Sequence, residues 1–390
     1  MGNRKKIMSV FGTRPEAIKM APVVKAIEDN HDLLEQVVVV TGQHRQMLDQ
    51  VLKIFEVVPD YDLEIMQANQ TIASVVARCL QGLEPLILDE KPDLMLVQGD
   101  TSTAFAAGLA AFYYKIPLGH VEAGLRTFDK WRPFPEEMNR QLLTDLTDLH
   151  FPPTASARQN LLAENVMPEK IALTGNTVID ALFKVSQRPY DLAATGIKID
   201  PKKKLLTVTA HRRELFGQPI KDVCAAIKRL AEQFSSEIYF VIPVHKNPQV
   251  REVIQTTLGN SANIQLIEPL DYEPFIHLMK ASYLILTDSG GVQEEAPSLG
   301  KPVLVMREKT ERPEAIEAGT VKLVGISEEN IYQETVRLLT DEQAYRQMTQ
   351  AVNPYGDGQA AERTVGFILH YFGLSDRKPE EFGAKIMSSR

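Results

Sequence analysis

Short runs of β-branched residues alternate with helix-length segments almost from one end of the chain to the other. This alternation is typical of a mostly parallel sheet covered by helices, because consecutive parallel strands need a long crossover connection. The predicted strands of the first half span residues 7–11, 37–41, 94–98, 117–121, 149–151 and 171–173. Those of the second half span residues 205–209, 238–242, 264–267, 284–287, 303–305 and 323–324.

A segment with proline, glycine and charge but no periodicity, residues 188–204, separates the two series and is predicted to be an interdomain linker. The length of 390 residues suits two or three domains. We therefore expect an α/β protein with two Rossmann-like domains, 1–187 and 188–358, and a cleft between them. A final helix over 359–372 and the polar end up to residue 390 are expected to complete the first domain, with fraying of that end left open.

Net charge, apolar runs and cysteines limit the classes of protein to which this chain can belong. The formal net charge of -8 argues against a surface that neutralises nucleic-acid phosphates. No apolar run approaches the 18 or so residues of a membrane span, and the basic start leads into a strand and not into a signal-peptide core. Cys79 and Cys224 are far apart in apolar helical segments, which predicts buried thiols. A cytoplasmic protein without nucleic-acid or membrane partners is expected.

Polar residues follow strand after strand. In open α/β sheets ligands bind beyond the carboxyl ends of the strands, so these residues are candidates for a site. In the first half they are Gly12-Thr-Arg-Pro-Glu16, Gly42-Gln-His-Arg45, Gly99-Asp-Thr-Ser102 and His120-Val-Glu-Ala-Gly-Leu-Arg126. In the second half they are His211-Arg-Arg-Glu214, His245-Lys-Asn247 and Asp288-Ser-Gly-Gly291. One such segment is an ordinary turn or helix cap, but their recurrence predicts a cleft lined with acids, bases and phosphate ligands.

Two groups of residues predict anion binding. Arg14 and Lys19 lie near the start of the first helix, where free N–H groups and the helix dipole favour an anion, although a solvated helix face is the alternative. In the segment 287–302, the turn Ser289-Gly290-Gly291 can bring backbone N–H groups close to a diphosphate. Glu295, one helical turn further on, can then reach a ribose diol, while Glu294 is expected to be a solvated helix acid.

Several cofactor motifs are absent from the sequence. It contains neither G-x-G-x-x-G nor G-x-x-x-x-G-K-[ST], and no tyrosine is followed four residues later by lysine. Oxidation through a nicotinamide is therefore disfavoured. Asp60-Tyr-Asp62 lies in an irregular stretch and no Cys/His metal spacing occurs, so no metal site is predicted.

Taken together, the motifs resemble those of the non-hydrolysing UDP-N-acetylglucosamine 2-epimerases over about residues 5–370. The motifs are Phe11-Gly-Thr-Arg-Pro-Glu-Ala-Ile-Lys-Met-Ala-Pro22, Gly99-Asp-Thr101, His120-Val-Glu-Ala-Gly-Leu-Arg-Thr127, Pro135-Glu-Glu-Met-Asn-Arg140, Gly175-Asn-Thr-Val-Ile-Asp180, Thr209-Ala-His-Arg-Arg-Glu214, Asp288-Ser-Gly-Gly-Val-Gln-Glu-Glu295 and Glu311-Arg-Pro-Glu314. The resemblance implies a glycosyltransferase-B-like fold, a homodimer, no cofactor, and interconversion of UDP-N-acetylglucosamine and UDP-N-acetylmannosamine for bacterial cell-surface polysaccharide.

The resemblance also implies roles for individual residues. Those implied for catalysis are Asp100, Glu122, Glu136 and His211. Those implied for substrate binding are Arg14, Lys19, Ser289, Gly290, Gly291, Glu295 and Arg312, with Phe275 near the uracil. A second, activating molecule of UDP-N-acetylglucosamine is implied at Gln43, Gln46, Gln70, Arg212 and His245. Leu215, where the family commonly has Asn, and Gln98, where it commonly has His, depart from the pattern and affect the expected fine geometry.

The chemistry explains why carboxylates and cations are needed together. The C2 hydrogen of a pyranose nucleotide has no neighbouring carbonyl, so the family eliminates UDP to a C1=C2 glucal and adds it back after protonation of the opposite face. Carboxylates serve proton transfer, and fixed cations serve the departing diphosphate. Which carboxylate takes the proton is left open. A glycosyltransferase, a hydrolysing epimerase and a non-catalytic UDP-sugar sensor are the alternatives.

Overall fold

The computed structural model describes residues 4–42, 45–67 and 70–383, without the side chains of Arg45, Gln46 and Arg213. The chain divides into two compact units. The first comprises Met1–Ala181 together with Tyr355–Arg390, and the second comprises Leu182–Pro354. Each unit holds one parallel sheet with flanking helices, so the predicted two-domain α/β fold class is confirmed.

In the described part of the first unit, six parallel strands form one sheet in the order β3-β2-β1-β4-β5-β6. The strands are β1 Lys5–Phe11, β2 Leu34–Val40, β3 Tyr61–Asp62, β4 Leu94–Gln98, β5 Leu118–Val121 and β6 Leu149–Phe151. The helices are α1 Arg14–Glu28, α2 Arg45–Phe55, α3 Ile72–Glu90, α4 Ser102–Tyr113, α5 Glu136–Leu146, α6 Ala155–Ala163 and α7 Thr177–Ser186, which runs on into the second unit. The strand order reverses between β1 and β4, and a crevice forms at such a switch point, beyond the carboxyl ends of the strands.

The second unit repeats this plan with the order β12-β11-β10-β7-β8-β9, again parallel throughout. Its strands are β7 Lys204–Thr209, β8 Ile238–Pro243, β9 Ile264–Ile267, β10 Leu284–Thr287, β11 Val303–Val305 and β12 Val321–Leu323. Its helices are α8 Gln218–Gln233, α9 Pro248–Leu258, α10 Tyr272–Ala281, α11 Gly290–Glu295, α12 Pro313–Glu317, α13 Glu328–Thr340 and α14 Glu342–Gln350. Here the order reverses between β7 and β10, and the polar segments after both strands therefore face one crevice.

Strand prediction failed at two places in the first unit. The predicted strand 171–173 is wrong, because Ile171 forms only an isolated bridge with His150. The backbone beyond it pairs with irregular segments instead, as in the bond from Asn176 N to Tyr355 O at 2.6 Å. Strand β3, which has only two residues and pairs with the end of β2, was not predicted.

The end of the chain packs on the first unit as far as Gly383. Helix α15, Ala360–Tyr371, lies against α1, close to its predicted position. Phe382 N donates to Leu173 O at 2.8 Å, and Glu381 pairs with Arg158 at 2.6 Å. The described part of the polar end therefore groups with the first unit.

The interiors of both units are apolar and contain the two cysteines. Cys79 lies in the core of the first unit and Cys224 in that of the second, and burial raises the pKa of each thiol to about 12. Both are buried thiols, as predicted. Over the described ranges, no helix is long and apolar enough to cross a membrane, and no group of His, Cys, Asp and Glu is arranged to hold a metal ion.

Candidate active site

Glu122 is a buried acid at the carboxyl edge of the first sheet, and three side chains from other segments hold it. It directly follows β5 in the left-handed region, with φ of 65°, and its side chain is buried. Its carboxylate pairs with Lys19 of α1 and accepts hydrogen bonds from Gln98 at the end of β4 and from Asn176 Nδ2, the last at 3.1 Å. Lys19 and Glu122, both predicted from sequence, are thus brought together, and a cation and two amides fix the orientation of the carboxylate.

Asp100 lies at the same edge, two residues after β4. Its Oδ2 is 2.5 Å from Arg140 Nη2, and its backbone carbonyl accepts from Asn139 Nδ2 at 2.9 Å. Burial raises the pKa of Asp100 above its usual range; the charge of Glu122 raises it further, while Arg140 and Lys19 oppose the shift. Two interacting carboxyl groups with different partners can hold different protonation states at one pH, as acid–base chemistry requires.

Glu136 and Glu137 begin α5 but have different surroundings. Glu136, one of the predicted catalytic residues, is half-buried in the first turn. Glu137 is fully buried and accepts from the backbone N–H groups of Thr127 and Phe128, each at 3.0 Å. Burial alone would raise the pKa of Glu137, but these donors outweigh it and hold the pKa below its usual range. Glu137 also pairs with Arg140 at 3.1 Å, so it fixes both the loop before α5 and the partner of Asp100.

Backbone N–H groups at the start of α1 already donate to nearby side chains of the same segment. Glu16 Oε2 accepts from Gly12 N at 3.1 Å and from Thr13 N at 2.7 Å, and Thr13 caps the helix in return. These two N–H groups are therefore already hydrogen-bonded, so an anion at this end of α1 would depend on the side chains of Arg14, which is half-buried, and Lys19. Burial raises the pKa of Glu16, against the hydrogen bonds that it accepts.

In the second unit, His211 is held by a buried acid that follows β10. Its Nδ1 is 2.8 Å from Asp288 Oδ1, and Asp288 Oδ2 accepts from the backbone N–H groups of His211 and Arg212 at 2.7 and 2.6 Å. Asp288 is completely buried, whereas 41% of the His211 side chain is exposed. Burial would raise the pKa of Asp288, but His211 and the backbone donors lower it below its usual range. The imidazole is thus oriented with its Nε2 edge available to a ligand.

The turn that was predicted to bind a diphosphate begins the short helix α11. Ser289 precedes the helix and makes no side-chain cap, and its own N–H donates to Thr287 Oγ1 at 3.0 Å. A Cβ on Gly290 would lie 3.9 Å from Arg212 Nη2 and 4.0 Å from Arg312 Nη2. Two guanidinium groups therefore lie beside glycine backbone at a helix start, a suitable arrangement for phosphate oxygens.

The two acids at the end of α11 are both buried, and the expectation that Glu294 is solvated is wrong. Glu294 forms an ion pair with Arg312, because α11 turns that residue inward beneath the segment that carries the arginine. Glu295 accepts from the hydroxyl of Tyr272, the first residue of α10, at 3.3 Å. Glu294 thus positions Arg312, which the family resemblance implies for substrate binding, and this role of Glu294 was not predicted.

The remaining predicted residues each lie in a different segment of the chain. Phe275 of α10 is half-buried against a small apolar cluster that includes Leu205 and Val241. His245 Nδ1 accepts from Asn247 N at 3.2 Å, and Gln70 Oε1 accepts from Gln67 N at 3.1 Å. Gln43 lies outside the described residues, as does the side chain of Gln46.

The motifs contain most of the residues that hold the predicted ones, but sequence reasoning gave those residues no positioning role. These positioning residues are Glu16, Gln98, Glu137, Asn139, Arg140, Asn176, Asp288 and Glu294. A sequence signal existed for two of them: Glu137 and Arg140 are three residues apart on α5, a spacing typical of helical ion pairs. The partners of Glu122 come from three distant segments, and no local spacing reveals them.

The fold and these clusters define a class: an α/β protein with two doubly wound sheets, each with charged side chains at its carboxyl edge, as in proteins that bind nucleotides. The family model described as UDP-N-acetylglucosamine 2-epimerase matches residues 25–369. The chain belongs to this family.

Relatives and solved structures agree with this assignment. The UDP-N-acetylglucosamine 2-epimerase of Escherichia coli K12 is 54% identical over 367 residues, covering 92% of this chain and 97% of that protein. A crystal structure of the Neisseria meningitidis UDP-GlcNAc 2-epimerase bound to UDP-GlcNAc is 47% identical, with a TM-score of 0.81 and coverage of 94% and 100%. The Methanocaldococcus jannaschii enzyme in complex with UDP-GlcNAc and UDP is 33% identical, with a TM-score of 0.74 and coverage of 94% and 99%.

Proposed function

We propose that this protein interconverts UDP-N-acetylglucosamine and UDP-N-acetylmannosamine without hydrolysis, by eliminating UDP and adding it back. The observation that carries the proposal is the carboxyl edge of the first sheet, where Glu122 is held by Lys19 and two amides beside Asp100. Neighbouring carboxyl groups with different partners can serve as base and acid for a proton at C2. The family assignment supports the substrate.

In the elimination, a carboxylate takes the C2 proton, the C–H electron pair becomes the C1=C2 bond, and the C1–O bond breaks with its electrons on the UDP oxygen. Protonation of C2 from the other face and return of UDP to C1 give the epimer. Atoms and electrons balance without an oxidant. The neutral form of Asp100 is favoured by its burial and the charged form of Glu122 by Lys19, so these two groups fit opposite proton-transfer roles.

The second unit supplies groups for UDP. Arg212 and Arg312 beside Gly290 suit the diphosphate, and Glu295 suits the ribose diol. His211, oriented by Asp288 through Nδ1, can in its imidazolium form also donate from Nε2 to the phosphate oxygen that gains charge when the C1–O bond breaks. The N. meningitidis relative, whose structure contains UDP-GlcNAc, supports this choice of ligand.

We also propose the finer properties that the family resemblance implies. They are a cytoplasmic homodimer, a role in supplying N-acetylmannosamine for cell-surface polysaccharide, and activation by a second UDP-N-acetylglucosamine at Gln43, Gln46, Gln70, Arg212 and His245. The M. jannaschii relative, which was crystallised in complex with UDP-GlcNAc and UDP, supports UDP and a UDP-sugar as the ligands of such a protein.

Incubation of the protein with UDP-N-acetylglucosamine in D₂O, followed by NMR, tests the reaction. We expect UDP-N-acetylmannosamine with deuterium at C2, because the abstracted proton exchanges with solvent before it returns. Free N-acetylmannosamine with UDP would indicate the hydrolysing reaction, and sugar transfer only to an added acceptor would indicate a glycosyltransferase. Epimer that retains its original hydrogen would rule out the elimination route.

A further inference from the structure

The amino edge of the second sheet, opposite the carboxyl edge that carries His211 and α11, has a lysine-lined cavity. The starts of β7, β10 and β11 are adjacent there, because these three strands are neighbours in the sheet. The cavity has a volume of 370 Å³. Its lining includes Lys202, Lys203, Lys204, Tyr283, Lys301 and Tyr345.

The positive charge of this cavity is not balanced by ion pairs. Within the described ranges, none of the four lining lysines lies within ion-pair distance of a carboxylate, whereas Lys5, Lys6 and Lys322 elsewhere on the surface do. A fifth cation, Lys280, is close enough to act on Lys301: burial, and then the charge of Lys280, lower the pKa of Lys301. Clustered cations in a chain of net charge -8 indicate a local site for an anion.

Two of the lysines are fixed by other contacts. Lys204 Nζ donates to Leu339 O at 2.9 Å at the end of α13 and lies 4.4 Å from the ring centroid of Tyr283. Lys203 Nζ donates to Ser235 O at 2.8 Å. Each ammonium has three donors, so these bonds fix its position and leave donors for a ligand. Lys202 and Lys301 are the remaining cations of the lining.

The aromatic part of the cavity argues against a stacked base. Tyr283 and Tyr345 stack on each other, with ring centroids 4.1 Å apart and planes at 12°, and Tyr345 donates its hydroxyl proton to Tyr283 O at 3.0 Å. Tyr345 thus covers one face of Tyr283, and Lys204 lies over the ring as well. The recognition that the cavity offers is therefore charge with hydrogen-bond donors, which suits a compact polyanion more than a flat ring.

We propose that this cavity, residues 202–204, 283, 301 and 345, binds a short polyphosphate chain, either free or as part of a nucleoside triphosphate. The site is separate from the proposed UDP site, since the two lie at opposite edges of one sheet. Four lysines line a cavity of this size, and their charge matches that of two or three linked phosphates.

Lysine acetylation followed by mass spectrometry reports on this site directly. We expect inorganic tripolyphosphate to slow acetylation of Lys202 and Lys301 several-fold, while Lys221 and Lys228 of α8, exposed on the same unit, react at an unchanged rate. ATP in a parallel arm distinguishes the sources: tighter protection by ATP would identify the nucleotide as the ligand, and equal protection would identify the phosphate chain alone.

Calorimetry with tripolyphosphate in the presence of saturating UDP adds an affinity. The double variant Lys202→Gln/Lys301→Gln should bind at least about tenfold more weakly, as expected for two lost charge-assisted contacts. The matched control Lys221→Gln/Lys228→Gln removes the same charge and should bind as the parent does. Equal loss in both double variants, or acetylation of Lys202 and Lys301 that tripolyphosphate does not slow, would overturn the proposal.

Discussion

At the residue scale, the carboxyl groups of the first unit differ in what holds them. Glu122 has a cation and two amides, Asp100 has an arginine, and Glu136 is half-buried at the start of a helix. Gln98 donates to Glu122. Because an amide does not titrate, Gln98 keeps this donor at every pH.

These contacts predict the effect of removing each charge. Glu122→Gln, Asp100→Asn and Glu136→Gln should each lower kcat by about 10²-fold or more, the usual scale for a lost general acid or base. Steady-state kinetics of the epimerase reaction measures this, with Glu169→Gln as an exposed control in the same unit. If all three variants stayed within a few-fold of the parent, the carboxylates would be structural.

At the element scale, α11 combines a glycine start with two buried acids within one and a half turns. Glu295→Ala should weaken UDP binding by about 1 to 3 kcal/mol, because the ribose would lose charge-assisted hydrogen bonds. Calorimetric titration with UDP measures the change. Glu294→Gln, which leaves Glu295 in place, should act through Arg312 and so weaken a diphosphate ligand but not uridine. An unchanged affinity of Glu295→Ala for UDP would contradict the placement of the ribose.

A second prediction at this scale concerns the buried carboxyl group of Asp180, which contacts the start of α15. Asp180 Oδ1 accepts from Ala361 N at 2.8 Å, and burial raises the pKa of Asp180 to about 6. In the unfolded chain the pKa of an aspartate is about 3.9, so the folded state holds the proton of Asp180 more tightly than the unfolded state does. The stability that this protonated carboxyl group contributes is therefore lost as pH rises from about 4 through 6. Asp180→Asn cannot lose a proton. Its free energy of unfolding, relative to the parent, should therefore increase by roughly 2 kcal/mol between pH 4 and 7.

Asp357, just before α15, provides a control for which the pH dependence of stability is expected to run in the opposite direction. Burial would raise its pKa, but the pair with Arg363 at 2.6 Å lowers it below the usual range. The stability that this pair contributes is present above the unfolded pKa and lost as pH falls. Asp357→Asn should therefore be less stable than the parent at pH 7, with a smaller difference at low pH. Denaturant unfolding at several pH values measures both variants, and parallel pH trends would contradict the assignment for Asp180.

At the scale of the whole molecule, the proposed second nucleotide site predicts dependence on an activator. A ligand that binds one conformation more tightly than another shifts the molecule toward that conformation. We expect little conversion of UDP-N-acetylmannosamine supplied alone, and a higher rate when a trace of UDP-N-acetylglucosamine is added. NMR of samples quenched at set times, or a coupled assay, measures the rate of conversion in the parent and in the variants Gln43→Ala and Arg212→Ala. Full reverse activity from the first seconds, unaffected by the trace or by either substitution, would remove the regulatory site.

The order of the elements, the class of fold and most strand positions are predictable from the sequence alone. Periodic apolar runs and the glycine and polar residues after them are local signals, and several strands, such as 94–98 and 284–287, have the predicted bounds. The failures were at elements without a local pattern. Tyr61–Asp62 is a strand only because the end of β2 lies beside it, and Ile171 lacks strand partners beyond one bridge.

Which polar side chains contact each other depends on how distant segments pack in the folded chain. The sequence selected Lys19 and Glu122, but their contact spans 103 residues, and Asn176 reaches the same carboxylate from 54 residues further along the chain. Glu294 illustrates the same limit, since helical position alone predicted solvent and the approach of Arg312 made it a buried partner. Backbone preferences and apolar periodicity act between near neighbours in the chain, so the sequence displays them directly. Ion pairs and burial depend on the packing of distant segments, and only the folded chain specifies them.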